Sequence, residues 1–122
     1  KKKKNALADC LKELERNEAG SQFEELNRRF HDLLGWASGN PLFGLLTSTL
    51  HLLTREFSRS LGYSAQERAV QLRILRRVLE AVRTGDAQEA RQAMARLVSG
   101  SANYLAERSP DLVSQKVRWG QI

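Results

Sequence analysis

The chain has 122 residues, the size of one domain with a single core, and its apolar and charged content is ordinary for a soluble globular protein. Lys and Arg total 20 against 14 Asp and Glu, a net charge of +6, but four of those charges form the opening Lys1–Lys4 run, which reads as a frayed end and says little about an anionic partner. No apolar run nears the ~20 residues of a membrane span, no secretory pattern opens the chain, and the lone Cys10 excludes an intrachain disulfide and suits a cytoplasmic location.

The chain begins with Lys rather than Met and reads as part of a longer protein. Leu7, Leu11 and Leu14 recur at helical spacing and predict a first helix over 5–18, with Cys10 as a small apolar packer and Ala19-Gly20 as the stop. Ser21 and Glu24 have the spacing of a capping box. They predict the start of a second helix with Phe23, Leu26, Phe30, Leu33 and Leu34 along one stripe, ending in the Gly35–Gly39 region. Asn40 suits an N-cap and Pro41 the first helical position. In the third helix that follows, Leu42, Leu45, Leu46, Leu50, Leu53 and Phe57 line one face. Leu61-Gly62-Tyr63 is the next break.

Ser64 and Glu67 form a second capping-box pattern, before a stripe of Val70, Ile74, Leu75, Val78, Leu79 and Val82 that closes at Thr84-Gly85. Asp86 is a good N-cap for a fifth helix. Its stripe is Ala90, Ala93, Met94, Leu97, Val98 and Leu105, its small residues Ala90 and Ala93 allow close helix approach, and Ser109-Pro110 stops it. The tail over 111–122 reads either as a short helix or as an extended segment. No stretch alternates with period two over a useful length, and the connections are short, so the predicted architecture is all-α: one domain, an antiparallel helical bundle of five helices or more.

Polar residues with functional potential are few. Asn27 and His31 stand four residues apart and so share one face of the second helix. They either point into an internal cavity or mark the solvent edge of the stripe, the commoner place for a lone helical histidine. His51 and Arg55 repeat the spacing on the third helix, where an Arg can clamp a carboxylate or sit on an exposed face. Trp36 suits an interface or the core, and Trp119 an interface. The Arg28-Arg29, Arg73, Arg76-Arg77 and Arg83 cluster lacks interleaved aromatics and reads as a solvated face rather than a nucleic-acid surface. No Ser/His/Asp set, HExxH, phosphate-binding loop or CxxC is present, so an enzyme is not expected.

Three segments in fixed order carry a resemblance. Phe23-Glu24-Glu25-Leu26-Asn27-Arg28-Arg29-Phe30-His31 is followed by Ala37-Ser38-Gly39-Asn40-Pro41. Ile74 onward ends in Leu79-Glu80-Ala81-Val82-Arg83-Thr84-Gly85-Asp86, and Ala90–Leu97 surrounds Met94. Across roughly 21–105 the chain resembles the effector-binding C-terminal domain (FCD domain) of GntR-family bacterial transcription regulators, FadR subfamily. The resemblance implies an all-α bundle that forms a homodimer and binds a small organic acid, touching DNA only through an N-terminal winged-helix domain outside this chain. It also implies that the family's first bundle helix is missing or reduced to the lysine run.

Many FCD domains hold a metal through an Asp and three histidines. The resemblance puts the Asp position on Asn27 and the first His on His31. The other two histidine positions, eleven residues before and after Asp86, fall on Leu75 and Leu97. A neutral amide is a poor metal ligand and leucine is none, so no metal and no other cofactor is expected. The implied ligand is then a partly hydrophobic, carboxylate-bearing effector in contact with His31, Asn27, Arg55, His51, Leu75 and Leu97. The alternative is a structural dimerisation module whose cavity Leu75 and Leu97 fill.

Overall fold

A computed structural model describes residues 2–108 and 110, apart from the side chains at 43 and 53–61. Five helices follow one another: α1 (Lys2–Arg16), α2 (Phe23–Ala37), α3 (Pro41–Leu61), α4 (Ala65–Thr84) and α5 (Ala87–Arg108). There is no strand among the described residues, and the fold is the all-α bundle that the apolar periodicity predicts. The predicted contacts of Arg55, Leu53 and Phe57, and the tail with Trp119, lie outside the described residues and side chains.

Three of the predicted helix starts are built as expected. The Asn40 side chain accepts a hydrogen bond from the Leu42 N–H at 3.1 Å, Ser64 Oγ from the Glu67 N–H at 3.1 Å, and Asp86 Oδ1 from the Glu89 N–H at 3.0 Å. Gly85 closes α4 in the left-handed conformation at φ 75°, which glycine adopts without the Cβ clash. Two expectations fail. The lysine run is not frayed, because Lys2–Lys4 form the first turn of α1, as a good helix former can. Ser21 does not cap α2: the N-cap is Gln22, with no side-chain bond, and Glu24 pairs instead with Arg68 of α4.

The core lies between α1, α2 and α4. Leu7, Cys10, Leu11 and Leu14 of α1 meet Phe23, Leu26 and Phe30 of α2, together with Leu72, Leu75 and Leu79 of α4 and Leu97 of α5. Phe23 and Phe30 are fully buried, each contributing about 2–3 kcal/mol of hydrophobic transfer free energy. Cys10 sits within this cluster, its Sγ against the Leu26 carbonyl at 3.5 Å, and burial pushes its thiol up to about 11. The buried face of α4 is rotated from the predicted stripe toward Gln71 and Leu72.

Substantial helix contacts join α1 to α2 and α4, α2 to α3, and α4 to α5. The α2–α3 hairpin is tight because two glycines face each other across it: an added Cβ at Gly35 would lie 3.5 Å from the Gly44 Cα and 3.2 Å from Thr47 Oγ1. Among the described residues helix α3 adds no side chain to the core cluster, and Leu42, Leu45, Leu46 and Leu50 of its predicted apolar face are more than half exposed. Helix α3 leans on α2 with its other side, where Gly44 and Thr47 approach Gly35. Val98 of α5 is likewise exposed.

Candidate functional site

A cavity of about 270 Å³ opens where α2, α3, α4 and α5 come together. Helix α2 supplies Asn27, Arg28 and His31, successive enough in the 3.6-residue period to share one face. Helix α3 supplies His51, the α3–α4 connection Tyr63, and α4 Gln71. The apolar side chains Met94, Leu97 and Val98 all come from α5, which also adds Ser101. The cavity is therefore amphipathic, with polar groups on three helices and the α3–α4 connection facing a largely hydrocarbon helix.

The two imidazoles are each fixed through one nitrogen. His31 Nδ1 lies 2.8 Å from the Asn27 carbonyl oxygen. A carbonyl only accepts, so Nδ1 carries the proton, and burial lowers the His31 pKa from its ordinary value and favours the neutral ring. His31 Nε2 then holds a lone pair. His51 Nδ1 lies 2.7 Å from Asp32 Oδ1, and a carboxylate likewise accepts. The two rings meet edge to face with centroids 5.9 Å apart.

Among the described residues, four buried side-chain polar atoms have no hydrogen-bond partner: Asn27 Oδ1, Arg28 Nη1, Gln71 Oε1 and Arg68 Nε. The first three belong to residues that line this one cavity. An orphaned buried polar atom costs about 1–3 kcal/mol, so three around one space mark a place where something polar belongs. Arg28 also pairs through Nη2 with Glu25, whose side chain is mostly exposed. Burial raises the Tyr63 pKa, against a hydrogen bond from Gln71. A shallower hollow of about 400 Å³, lined by Glu25, Arg29, Asp32 and Leu52, shares Arg28 and His51 with the cavity.

Five of the six residues singled out from the sequence are thereby placed. Asn27, His31, His51 and Leu97 line the cavity. Leu75 does not: it is fully buried in the core, one turn of α4 beyond Gln71. The Arg55 side chain lies outside the described residues. The sequence reading missed Arg28, assigned to a solvated basic face, together with Gln71, Tyr63 and Ser101. Arg28 had a signal, since it lies three residues before His31 on the same helix. Gln71, Tyr63 and Ser101 had none within their own segments.

The family model for the FCD domain matches residues 2–100, most of the chain and all of the cavity except Ser101. The chain belongs to the FCD-domain family. No curated protein and no solved structure shows significant similarity to it. FCD membership makes this a regulatory, effector-binding domain of the GntR-type transcription regulators. The match begins at Lys2, so the FCD domain here includes α1 and not only the 21–105 stretch that carries the motifs.

The Asp-and-three-His metal set that the resemblance implies does not fit the residues present. Asn27 offers an uncharged amide, Leu75 is sealed in the core, and Leu97 presents carbon to the cavity. His51 brings a second imidazole from α3, but among the described residues no group of three or more His, Cys, Asp or Glu is placed to hold a metal ion. No described helix is long and apolar enough to cross a membrane.

Proposed function

We propose that this FCD domain senses a small, carboxylate-bearing, partly hydrophobic organic acid without a metal, and that occupancy changes the DNA affinity of a cytoplasmic homodimeric regulator. DNA contact belongs to a separate winged-helix domain. The observation that carries the reading is the clustering of three unpartnered buried polar atoms around one cavity whose fourth side is apolar. Arg28 takes the carboxylate through Nη1, which is buried and has no hydrogen-bond partner, while Nη2 stays with Glu25. His31, Asn27 and His51 hold the polar end, and Leu97 with Met94 and Val98 takes the hydrocarbon. The exposed leucines of α3 form the face through which a second copy docks. Ligand binding then biases the dimer between two arrangements, a population shift.

Thermal unfolding in the presence of a carboxylate library tests this. A true effector at 100 times its Kd adds about 2.7 kcal/mol, a rise of several degrees in Tm, and Arg28→Met abolishes that rise. A library that leaves Tm unmoved would instead favour a structural dimerisation module without a ligand, for which the exposed α3 leucines are the supporting observation.

A further inference from the structure

The fold divides the basic cluster that the sequence presents as one solvated face. Arg28 lines the cavity, and Arg76 Nε donates to Glu15 Oε1 of α1 at 2.8 Å. Arg73 and Arg77 do neither. With Arg96 of α5 they line a separate hollow of about 300 Å³, whose remaining lining is Val70 and Ile74. We infer that this hollow binds a small phosphate monoester, its phosphoryl group held by the three arginines and its carbon chain against Val70 and Ile74. The site is distinct from the carboxylate cavity and does not rest on that reading.

Charge sets the phosphoryl part. Arg73 and Arg77 stand one turn apart on α4, a like-charge pair that destabilises a helix, and Arg96 brings a third cation from the next helix. None of the three has an ion-pair partner among the described residues. No acid lines the hollow. Glu80, one turn past Arg77, forms no ion pair with it, and Glu67 and Glu89 lie farther along their helices. Glu18 lines an adjoining hollow with Arg73 and Arg76, so its charge falls on that side and leaves Arg77 and Arg96 uncompensated. A monocarboxylate or a phosphate diester would bring a single negative charge. A phosphate monoester brings about 1.5 to 2 near neutral pH, on three oxygens that accept from several guanidinium groups at once.

The setting of the cations selects a small molecule over nucleic acid. They come from two helices to share one hollow, and the hollow has no aromatic ring on which a base could stack. A space of about 300 Å³ equals the liquid volume of roughly ten waters. That leaves room beyond the phosphoryl group for a few carbons, and Val70 and Ile74 are half-buried aliphatic partners for them.

Titration calorimetry on the intact chain in phosphate-free, low-salt buffer tests this with propyl phosphate, inorganic phosphate, diethyl phosphate, propane-1-sulfonate and a short DNA duplex. Propyl phosphate should bind about tenfold or more tightly than the two monoanions, and more tightly than inorganic phosphate. Arg77→Gln and Arg96→Gln should each weaken it about tenfold. Arg83→Gln removes the same charge from α4 outside the hollow and should change it less than about twofold. An equal loss in Arg83→Gln would mean that a diffuse positive field attracts the anion. Displacement of propyl phosphate by excess butanoate would place it in the cavity with Arg28 instead. DNA binding that Arg77→Gln abolishes, with no binding of propyl phosphate, would make the patch a nucleic-acid surface. Any of these, or no binding by any probe, overturns the inference and leaves the carboxylate reading to its own test. The ranking of probes on the unaltered protein stands even if a variant fails to fold.

Discussion

Arg68 Nη2 donates to Glu24 Oε1 at 2.9 Å, across 44 residues of chain. The same guanidinium donates through Nη1 to the Glu18 and Gly20 carbonyls, each at 2.8 Å, and lies over the Phe23 ring at 4.8 Å. One side chain of α4 thus fastens the α1–α2 turn and takes the carboxylate that would otherwise close a capping box with Ser21. Replacing Arg68 by Met strips two carbonyls and a poorly exposed carboxylate of their donor. We expect a loss of about 3 kcal/mol in urea-induced unfolding. A change within a few tenths of a kcal/mol would show that solvent takes over these contacts at no cost.

Gly44 and Trp36 give a second prediction. A Cβ on residue 44 would come within 2.5 Å of the indole ring, so Gly44→Ala must swing Trp36 off α3. The expected cost is about 1–3 kcal/mol, together with a shift in tryptophan emission. Gly39→Ala is the control: the backbone there has φ 80°, which strains alanine, but no atom lies within 4 Å of the new methyl. It should lose stability with the emission spectrum unchanged.

His31 gives a pH dependence. Burial is the chief cause of its lowered pKa, helped by the nearby His51 and opposed by the Asn27 carbonyl and Asp32. In that window the unfolded chain binds more protons than the folded one, so stability rises with pH. The His31 contribution is complete above the ordinary value near 6.5 and is lost as pH falls from there through the folded pKa. Thermal melts between pH 7.5 and 5 should show Tm decreasing on the acid side, with a shallower slope in His31→Gln. An identical slope in that variant would remove His31 as the source.

The α3 row gives an assembly prediction. Leu46 is 55 % exposed and stands between Leu42 and Leu50 at turn spacing. Leu46→Glu places a charge in the middle of the row without touching the core. Sedimentation velocity should show a dimer for the unaltered chain and a monomer for the variant, with the same helical circular dichroism. A variant that remains dimeric would move the interface elsewhere.

The caps at Asn40, Ser64 and Asp86 were legible in the sequence because each is decided within three residues. The Ser21 cap was not, because a residue far along the chain competes for Glu24. The apolar pattern of α3 showed that the helix has two unlike faces, but not that its leucine side is the exposed one. The cavity was half legible. Asn27 and His31 announce themselves by spacing on one helix, and Leu97 by its distance from a recognisable turn. Leu75 was counted in by that same distance, yet it lies one turn beyond Gln71 on α4, inside the core. His51 could have been placed by folding α2 back on α3 about Gly39, which brings it near Asp32. Gln71 could not, because its burial depends on how α4 is turned against α2 and α5.

The order in which the helices touch also bears on how the chain acquires its shape. Apart from α1 against α4, every substantial helix contact joins neighbours in sequence. Two hairpins, α2–α3 and α4–α5, can each close over a short loop at little entropic cost, and such local topology places folding on the fast side of the range for domains of this size. Helix α1 is the exception: it must find α4 across two intervening helices, and it carries four core side chains when it does. Its docking on α4 therefore closes the longest loop of the fold and carries the largest closure entropy.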